Sequence, residues 1–331
     1  MKILGFQWHI TDRCNLRCRH CYQDTFSNER EKDITTLKSY ADKIFGYKKG
    51  YKIAVNITGG EPLLYPNLIE LLTHIDRYEN CSEINIITNG TFINERLIEQ
   101  LDQIRHLKYI KVSIESPDKS TNDGIRGDGN LDRVKENLNA FKRLNRDILI
   151  MMTLGSYNFR DVSKMVEFVV RFELSGIIFE RFVPLGSGRA ISTDFLKRYE
   201  LRSVIEEILK ISKLQLLPED LIQYRAFWLI RSRRRFYLKG ALCNLGPDSF
   251  ALMPDGSIYP CRRYNKKVAD LNVSDLPSIR KILSNYEISE FKKRINSRAC
   301  GSCGFEDCIG CRALTLAITG KEDGDDIQCF L

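Results

Sequence analysis

The sequence predicts an α/β protein: a partial (β/α)6 barrel over the first two-thirds, then a small cysteine-rich domain. Three observations carry this reading. Short β-branched runs alternate with amphipathic stretches from residue 3 to about residue 212. The residues of unusual chemistry fall just after those runs. Of the 11 cysteines, three lie at 14–21 and seven between 243 and 331, with Cys81 alone between them.

The strand-like runs are Leu4–Ile10, Ile53–Thr58, Glu83–Thr88, Tyr109–Ile114, Ile148–Thr153 and Gly176–Arg181. Helical patterns such as Leu68–Tyr78, Leu131–Leu144 and Val162–Phe172 separate them. Such alternation means a parallel sheet with helices packed outside it. A doubly wound open sheet is the competing fold, because periodicity does not distinguish closure from openness. Within the first strand, alternation places Phe6, Trp8 and Ile10 toward the outer helices and Gln7, His9 and Thr11 toward the interior. His9 reads equally as a substrate-facing group and as a satisfied interior histidine. In a barrel, chemistry sits at the C-terminal strand ends. Four motifs fall there: the cysteine loop, Thr58-Gly59-Gly60-Glu61-Pro62, Thr88-Asn89-Gly90 and Ser113-Ile114-Glu115-Ser116.

The loop after the first strand reads Cys14-x3-Cys18-x2-Cys21. Three soft thiolates on one short loop suit an iron–sulfur cluster. Three is one short of the usual set for a [4Fe–4S] cube, so one iron keeps an open position, as catalytic zinc does. The alternatives are a zinc site or a chance group of structural cysteines.

This loop resembles the signature of the radical S-adenosylmethionine (SAM) superfamily, C-x3-C-x-Φ-C, with His20 in the usually aromatic position and Tyr22 following. The resemblance implies the partial barrel and a [4Fe–4S] cluster on Cys14, Cys18 and Cys21, with SAM on the open iron. Gly59 and Gly60 match the family's GGEP motif, where backbone approaches the methionine amino group and Glu61 supports the turn or the ammonium. Ser113 and Glu115 correspond to the ribose-contacting region. Ile125-Arg126-Gly127 resembles the IRG element, with Arg126 on the methionine carboxylate. Asn89, in a sequence that is also a common turn, is a further candidate.

From Cys243 the chain reads C-x12-G-x4-C, ending at Cys261, then Cys300-x2-Cys303-x4-Cys308-x2-Cys311, then Cys329. This resembles the SPASM domain behind the barrel of many peptide-modifying radical SAM enzymes, with two gaps one residue short. It implies two auxiliary [4Fe–4S] clusters, three in all. Cys243, Cys261 and Cys311 would hold the first, with its fourth iron open or ligated near Asp248 or Ser249. Cys300, Cys303, Cys308 and Cys329 would hold the second. A structural zinc module is the alternative. The expected division is a barrel at 1–215, a bridging segment at 216–242 and the cysteine domain at 243–331.

No apolar run is long enough to span a bilayer, and the N-terminus lacks a signal-peptide pattern. A cytoplasmic protein without a membrane partner is expected. The net charge of +8 includes Arg231-Ser232-Arg233-Arg234-Arg235, read as a solvated face, with no nucleic-acid partner expected. The family's sulfatase-type Asp is replaced by Arg262, and the spare Cys81 precedes a strand, which disfavours alcohol oxidation and epimerisation. The resemblance thus implies oxidative modification of a ribosomal peptide or protein, forming a thioether or carbon–carbon cross-link. Flavodoxin or ferredoxin would supply electrons. The chain begins on its first strand, so a peptide substrate is expected to need a separate peptide-recognition protein, a short-motif binding site or no leader at all. The alternatives are a radical SAM dehydrogenase of a small molecule and a non-catalytic iron–sulfur electron carrier.

Overall fold

The computed structural model describes residues 2–47, 50–233 and 235–331. Arg234, in the basic run, lies outside them. One 11-stranded sheet organises the chain, in the order β11-β10-β9-β1-β2-β3-β4-β5-β6-β7-β8. Strands β1 (Lys2–His9), β2 (Tyr51–Thr58), β3 (Cys81–Thr88), β4 (Leu107–Ser113), β5 (Asp147–Leu154) and β6 (Gly176–Arg181) run parallel and in sequential order. A doubly wound sheet would reverse its strand order partway. This one does not, so the singly wound, barrel-type reading holds. β1 and β6 do not pair with each other; each is extended outward instead.

The helices of this part are α1 (Ile34–Phe45), α2 (Leu68–Asp76), α3 (Glu95–Asp102), α4 (Lys119–Arg126), α5 (Asn130–Lys142), α6 (Val162–Arg171) and α7 (Arg198–Ser212). Polar caps set several starts. Asp33, Asn94 and Asp118 each accept a backbone N–H from the first turn. Phe6, Trp8 and Ile10 are buried in the main core, and Phe6 meets the Phe45 ring of α1 edge-on at 6.1 Å. Fully burying each such side chain stabilises by about 1.5–3 kcal/mol.

The bridging segment is not a plain linker. β7 (Ala226–Ser232) and β8 (Arg235–Ala241) form an antiparallel hairpin on β6. The cysteine-rich part also joins the sheet. β9 (Ser249–Leu252) lies parallel to β1, and β10 (Ser257–Tyr259) and β11 (Ala269–Asp270) follow antiparallel. Phe250 stacks on Phe6 at 5.1 Å. The remaining helices are α8 (Leu276–Ser284), α9 (Ile288–Lys292), α10 (Arg298–Gly301) and α11 (Arg312–Thr319). α8 packs on the main core through Leu276, Ile279 and Leu283, while α9, α10 and α11 help enclose a second, smaller core around Tyr264, Tyr286, Phe291 and Leu314. Among the described residues, no helix is long and apolar enough to cross a membrane.

Candidate active site

The C-terminal ends of β1 to β6 open into a cavity of about 720 Å³. Cys14, Cys18, His20, Cys21, Tyr22, Gly59, Gly60, Asn89, Ser113 and Arg126 all line it. The cysteine loop is strapped to the turn after β2. Gly60 N–H donates to the Thr11 carbonyl at 2.8 Å and Glu61 N–H to that of Arg13 at 2.7 Å. A Cβ on Gly60 would collide with the Asp12 and Arg13 carbonyl oxygens. Gly60→Ala is therefore expected to displace the loop. The overpacking costs roughly 1–3 kcal/mol, and reduced iron uptake in a protein that still folds checks it.

Glu61 does not face the cavity. It is fully buried, and accepts from Leu63 N–H at 3.1 Å, the Thr88 hydroxyl at 2.8 Å and Asn89 N–H at 2.7 Å. Its role is to tie the end of β2 to the end of β3. Burial pushes its carboxyl up to about 7 despite these donors. Asn89 reaches the cysteine loop directly. Its Nδ2 donates to Asn15 Oδ1 at 2.9 Å and lies 3.9 Å from Cys14 Sγ.

Arg126 is buried at the C-terminal end of α4, not exposed at a helix start. Gly127 follows at φ 107°, a conformation that glycine adopts without a steric penalty. The guanidinium donates from Nε to Glu115 Oε1 at 3.1 Å, and Nη2 closes a second bond to the same oxygen. Its Nη1 lies 3.9 Å from Cys18 Sγ. His20 Nε2 meets Glu115 at 3.1 Å, and Thr153 N–H donates to Glu115 Oε2 at 2.7 Å. Burial alone would raise the Glu115 carboxyl, but Arg126 and His20 outweigh it and hold it down at about 2. Glu115 is thus an internal counter-ion behind the cavity wall, whereas Ser113 lines the wall. β4 ends at Ser113, so strand alternation no longer carries Glu115 onto the same face.

Burial raises the thiols of Cys14, Cys21 and Cys18, the last to about 11 even with Arg126 beside it. A thiolate here needs a metal cation, which cluster iron supplies. The donor set therefore fits a [4Fe–4S] cluster: three unpaired thiols on one loop, facing a cavity, with N–H donors near their sulfurs. Among the described residues, no three His, Cys, Asp or Glu side chains are gathered to hold a single metal ion. Zinc needs its ligands on one centre, whereas a cube spreads them over several irons.

Cys243, Cys261 and Cys311 line the same cavity. Cys261 and Cys311 both act electrostatically on Cys243. Ser249 borders the cavity, while Asp248 is turned to Arg280 at 2.5 Å. Behind this set, Cys303 and Cys308 act on Cys329, while Cys300 Sγ accepts from Asp326 N–H at 3.3 Å. Asp326 joins the two sets. Its carboxylate accepts from Cys311 N–H and from Arg225, each at 2.8 Å, and lies 3.6 Å from Arg181. Arg225 Nη2 is also 3.5 Å from Cys308 Sγ.

The sequence reading did not single out Lys111, Glu180, Arg181, Arg225, Trp228 or Asp326. Lys111 was findable, since it lies two residues before Ser113 and shares its strand face. Arg225 and Asp326 carry no such signal, being 101 positions apart. Gln7 lines the cavity as alternation predicts. His9 is fully buried, packed edge-on to Tyr22 at 5.6 Å, and Tyr22 in turn carries Arg262 at 4.3 Å. Thr11 is buried but does not line the cavity, and donates to Glu31 at 2.5 Å. Cys81 is buried in the core at the start of β3.

Residues 8–169 match the profile of the Radical SAM superfamily. The chain is 31% identical over 183 residues to the uncharacterized protein MJ0907 of Methanocaldococcus jannaschii, covering 53% of this chain and 61% of that one. That match spans less than two-thirds of the relative's length. The GTP 3',8-cyclase of Alkaliphilus metalliredigens is 27% identical, over 80% of this chain and 82% of its own. The mycofactocin maturase MftC of Mycobacterium tuberculosis is 25% identical, over 97% and 81% respectively. Among solved structures, Streptococcus suis SuiB bound to the precursor peptide SuiA superposes with a TM-score of 0.74 at 16% identity, covering all of this chain and 76% of SuiB.

Proposed function

From the match of residues 8–169 to the Radical SAM superfamily profile, we propose that this chain is a radical SAM/SPASM enzyme that oxidatively modifies a ribosomally made peptide or protein. The observation that carries the reading is the shared cavity. Cys14, Cys18 and Cys21 line it, and so do Cys243, Cys261 and Cys311. A substrate between them would lie beside both a site for hydrogen abstraction and a site that accepts the remaining electron. A cluster held by Cys14, Cys18 and Cys21, together with SAM, would supply the radical chemistry of hydrogen abstraction.

The protein's part is placement. The Gly59-Gly60 turn holds the cysteine loop in position and leaves room for a ligand. Glu61 fixes that turn to Asn89. Glu115 neutralises and orients Arg126 beside Cys18. Cys243, Cys261 and Cys311 are the proposed ligands of the first auxiliary cluster; Cys300, Cys303, Cys308 and Cys329 are those of the second. The likenesses to MftC and to peptide-bound SuiB support a peptide substrate. Thioether or carbon–carbon cross-linking, reduction by flavodoxin or ferredoxin, a separate peptide-recognition protein and a cytoplasmic location belong to the same proposal. The likeness to GTP 3',8-cyclase favours a second reading, chemistry on a small molecule.

Anaerobically reconstituted protein is expected to bind about twelve iron atoms, three cubes of four. Given SAM and dithionite, it should release 5′-deoxyadenosine, which a mere electron carrier would not. Stoichiometric zinc with one cube's worth of iron would remove the auxiliary clusters. A mass change on a candidate peptide, rather than on a nucleotide, separates the two substrate readings.

A further inference from the structure

Lys111 faces the same cavity from inside the barrel, deeper than Ser113 by two strand positions. It is only 5% exposed. Its Nζ donates to Asn56 Oδ1 at 2.6 Å and lies 5.0 Å from the Trp228 ring. The nearest influential carboxylates are already committed: Glu83 to Lys108 at 2.8 Å and Glu180 to Arg263 at 3.2 Å. Among the described residues, no carboxylate forms an ion pair with Lys111. A buried ammonium with an amide oxygen, an aromatic face and no counter-ion is expensive unless an anion arrives from outside.

We propose that Lys111, oriented by Asn56 and covered by Trp228, is the anchor for a carboxylate of the substrate. This deepens the functional reading above and rests on its assignment of the cavity to substrate. The rest of the subsite is consistent with an acid carried on an apolar stem, because Met151 and Ile178 line the cavity near Lys111 and Trp228. On a peptide, that group is an aspartate or glutamate side chain or the C-terminus.

Electrostatics gives the anchor a pH signature. Burial lowers the Lys111 ammonium to about 8, against the opposing pull of Glu180 and Glu83; Lys108 adds to the lowering. Tyr109, on the same strand, presents its ring at 5.9 Å, and Asn56 and Trp228 are neutral. A carboxylate binds the charged form, so its affinity is full below about pH 8 and falls as the pH rises through that value.

The probe is hexanoate, compared with its uncharged isostere hexanamide, by anaerobic calorimetry on reconstituted full-length protein. At about pH 7, hexanoate is expected to bind roughly tenfold or more tighter than hexanamide, the scale of one charge-assisted hydrogen bond. That preference should shrink at about pH 9.5. Lys111→Met should abolish it, and Lys111→Arg should keep it at both pH values, since guanidinium stays charged. Equal binding of acid and amide, no saturable heat with either, or an unchanged preference in Lys111→Met overturns the inference. Iron content and 5′-deoxyadenosine are measured on the same preparation. Failure there overturns the radical SAM reading, while the hexanoate comparison still decides Lys111.

Discussion

Replacing Cys14, Cys18 or Cys21 singly with Ala is expected to abolish release of 5′-deoxyadenosine. Removing a group that only supports a metal ligand costs about 10–100-fold in metal affinity or activity. Removing a ligand itself should cost far more, because the three thiols leave no spare donor on the loop. Iron should fall by about one cube of four, with the auxiliary iron retained. Cys243, Cys261, Cys300 and Cys311 belong to or pack against the smaller core, which is distinct from the main one. Spectroscopic loss of every cluster at once would contradict this separation. Cys81→Ala is the control. That thiol is buried at the start of β3, remote from the cysteine loop at the C-terminal strand ends, and its loss should leave both iron content and SAM cleavage in place.

The second large effect is on stability. Glu115 is fully buried between Arg126 and His20, and breaking a buried pair strands a charge at a cost of about 3–5 kcal/mol. Glu115→Ala should therefore lower the denaturation midpoint markedly. The double variant Glu115→Leu with Arg126→Met should recover part of the loss, because it leaves no unpaired charge there. If the double variant is as unstable as the sum of both single variants, the pair is not the source. Acid offers an independent check. The folded carboxyl sits at about 2, below the unfolded value of about 4.3. Its contribution is present above pH ~4.3 and is lost as pH falls toward ~2. Wild type should thus lose stability across that window more steeply than a Glu115→Gln variant, measured by denaturant unfolding at each pH.

Much of the fold was legible from residue 3 to about 212 because each strand carries its own local signal. β-branched runs mark β1 to β6, and amphipathic patterns mark α2, α5 and α6. The motif residues were legible because they stand at strand ends, where the barrel topology brings successive loops together. The roles of two of them were legible only in part. Glu61 reads as supporting either the turn or the ammonium and Glu115 as contacting the ribose, and both side chains turn inward. One ties two strand ends through three hydrogen bonds, and the other is held by a guanidinium 11 residues on. Local spacing does not say whether a carboxylate meets a ligand or a buried partner.

By itself, the sequence determined the succession of strands and helices along the chain, the cysteine loop with its one missing ligand, and a separate C-terminal group of cysteines. Those features are set by neighbours in the chain. Tertiary structure alone decided that Cys243, Cys261 and Cys311 share a cavity with Cys14, Cys18 and Cys21. It also joined Arg225 to Asp326 and, among the described residues, left Lys111 without an ion-pair partner. The physical reason is that desolvation and pairing of charge depend on which groups folding brings within a few ångströms, at whatever distance along the chain.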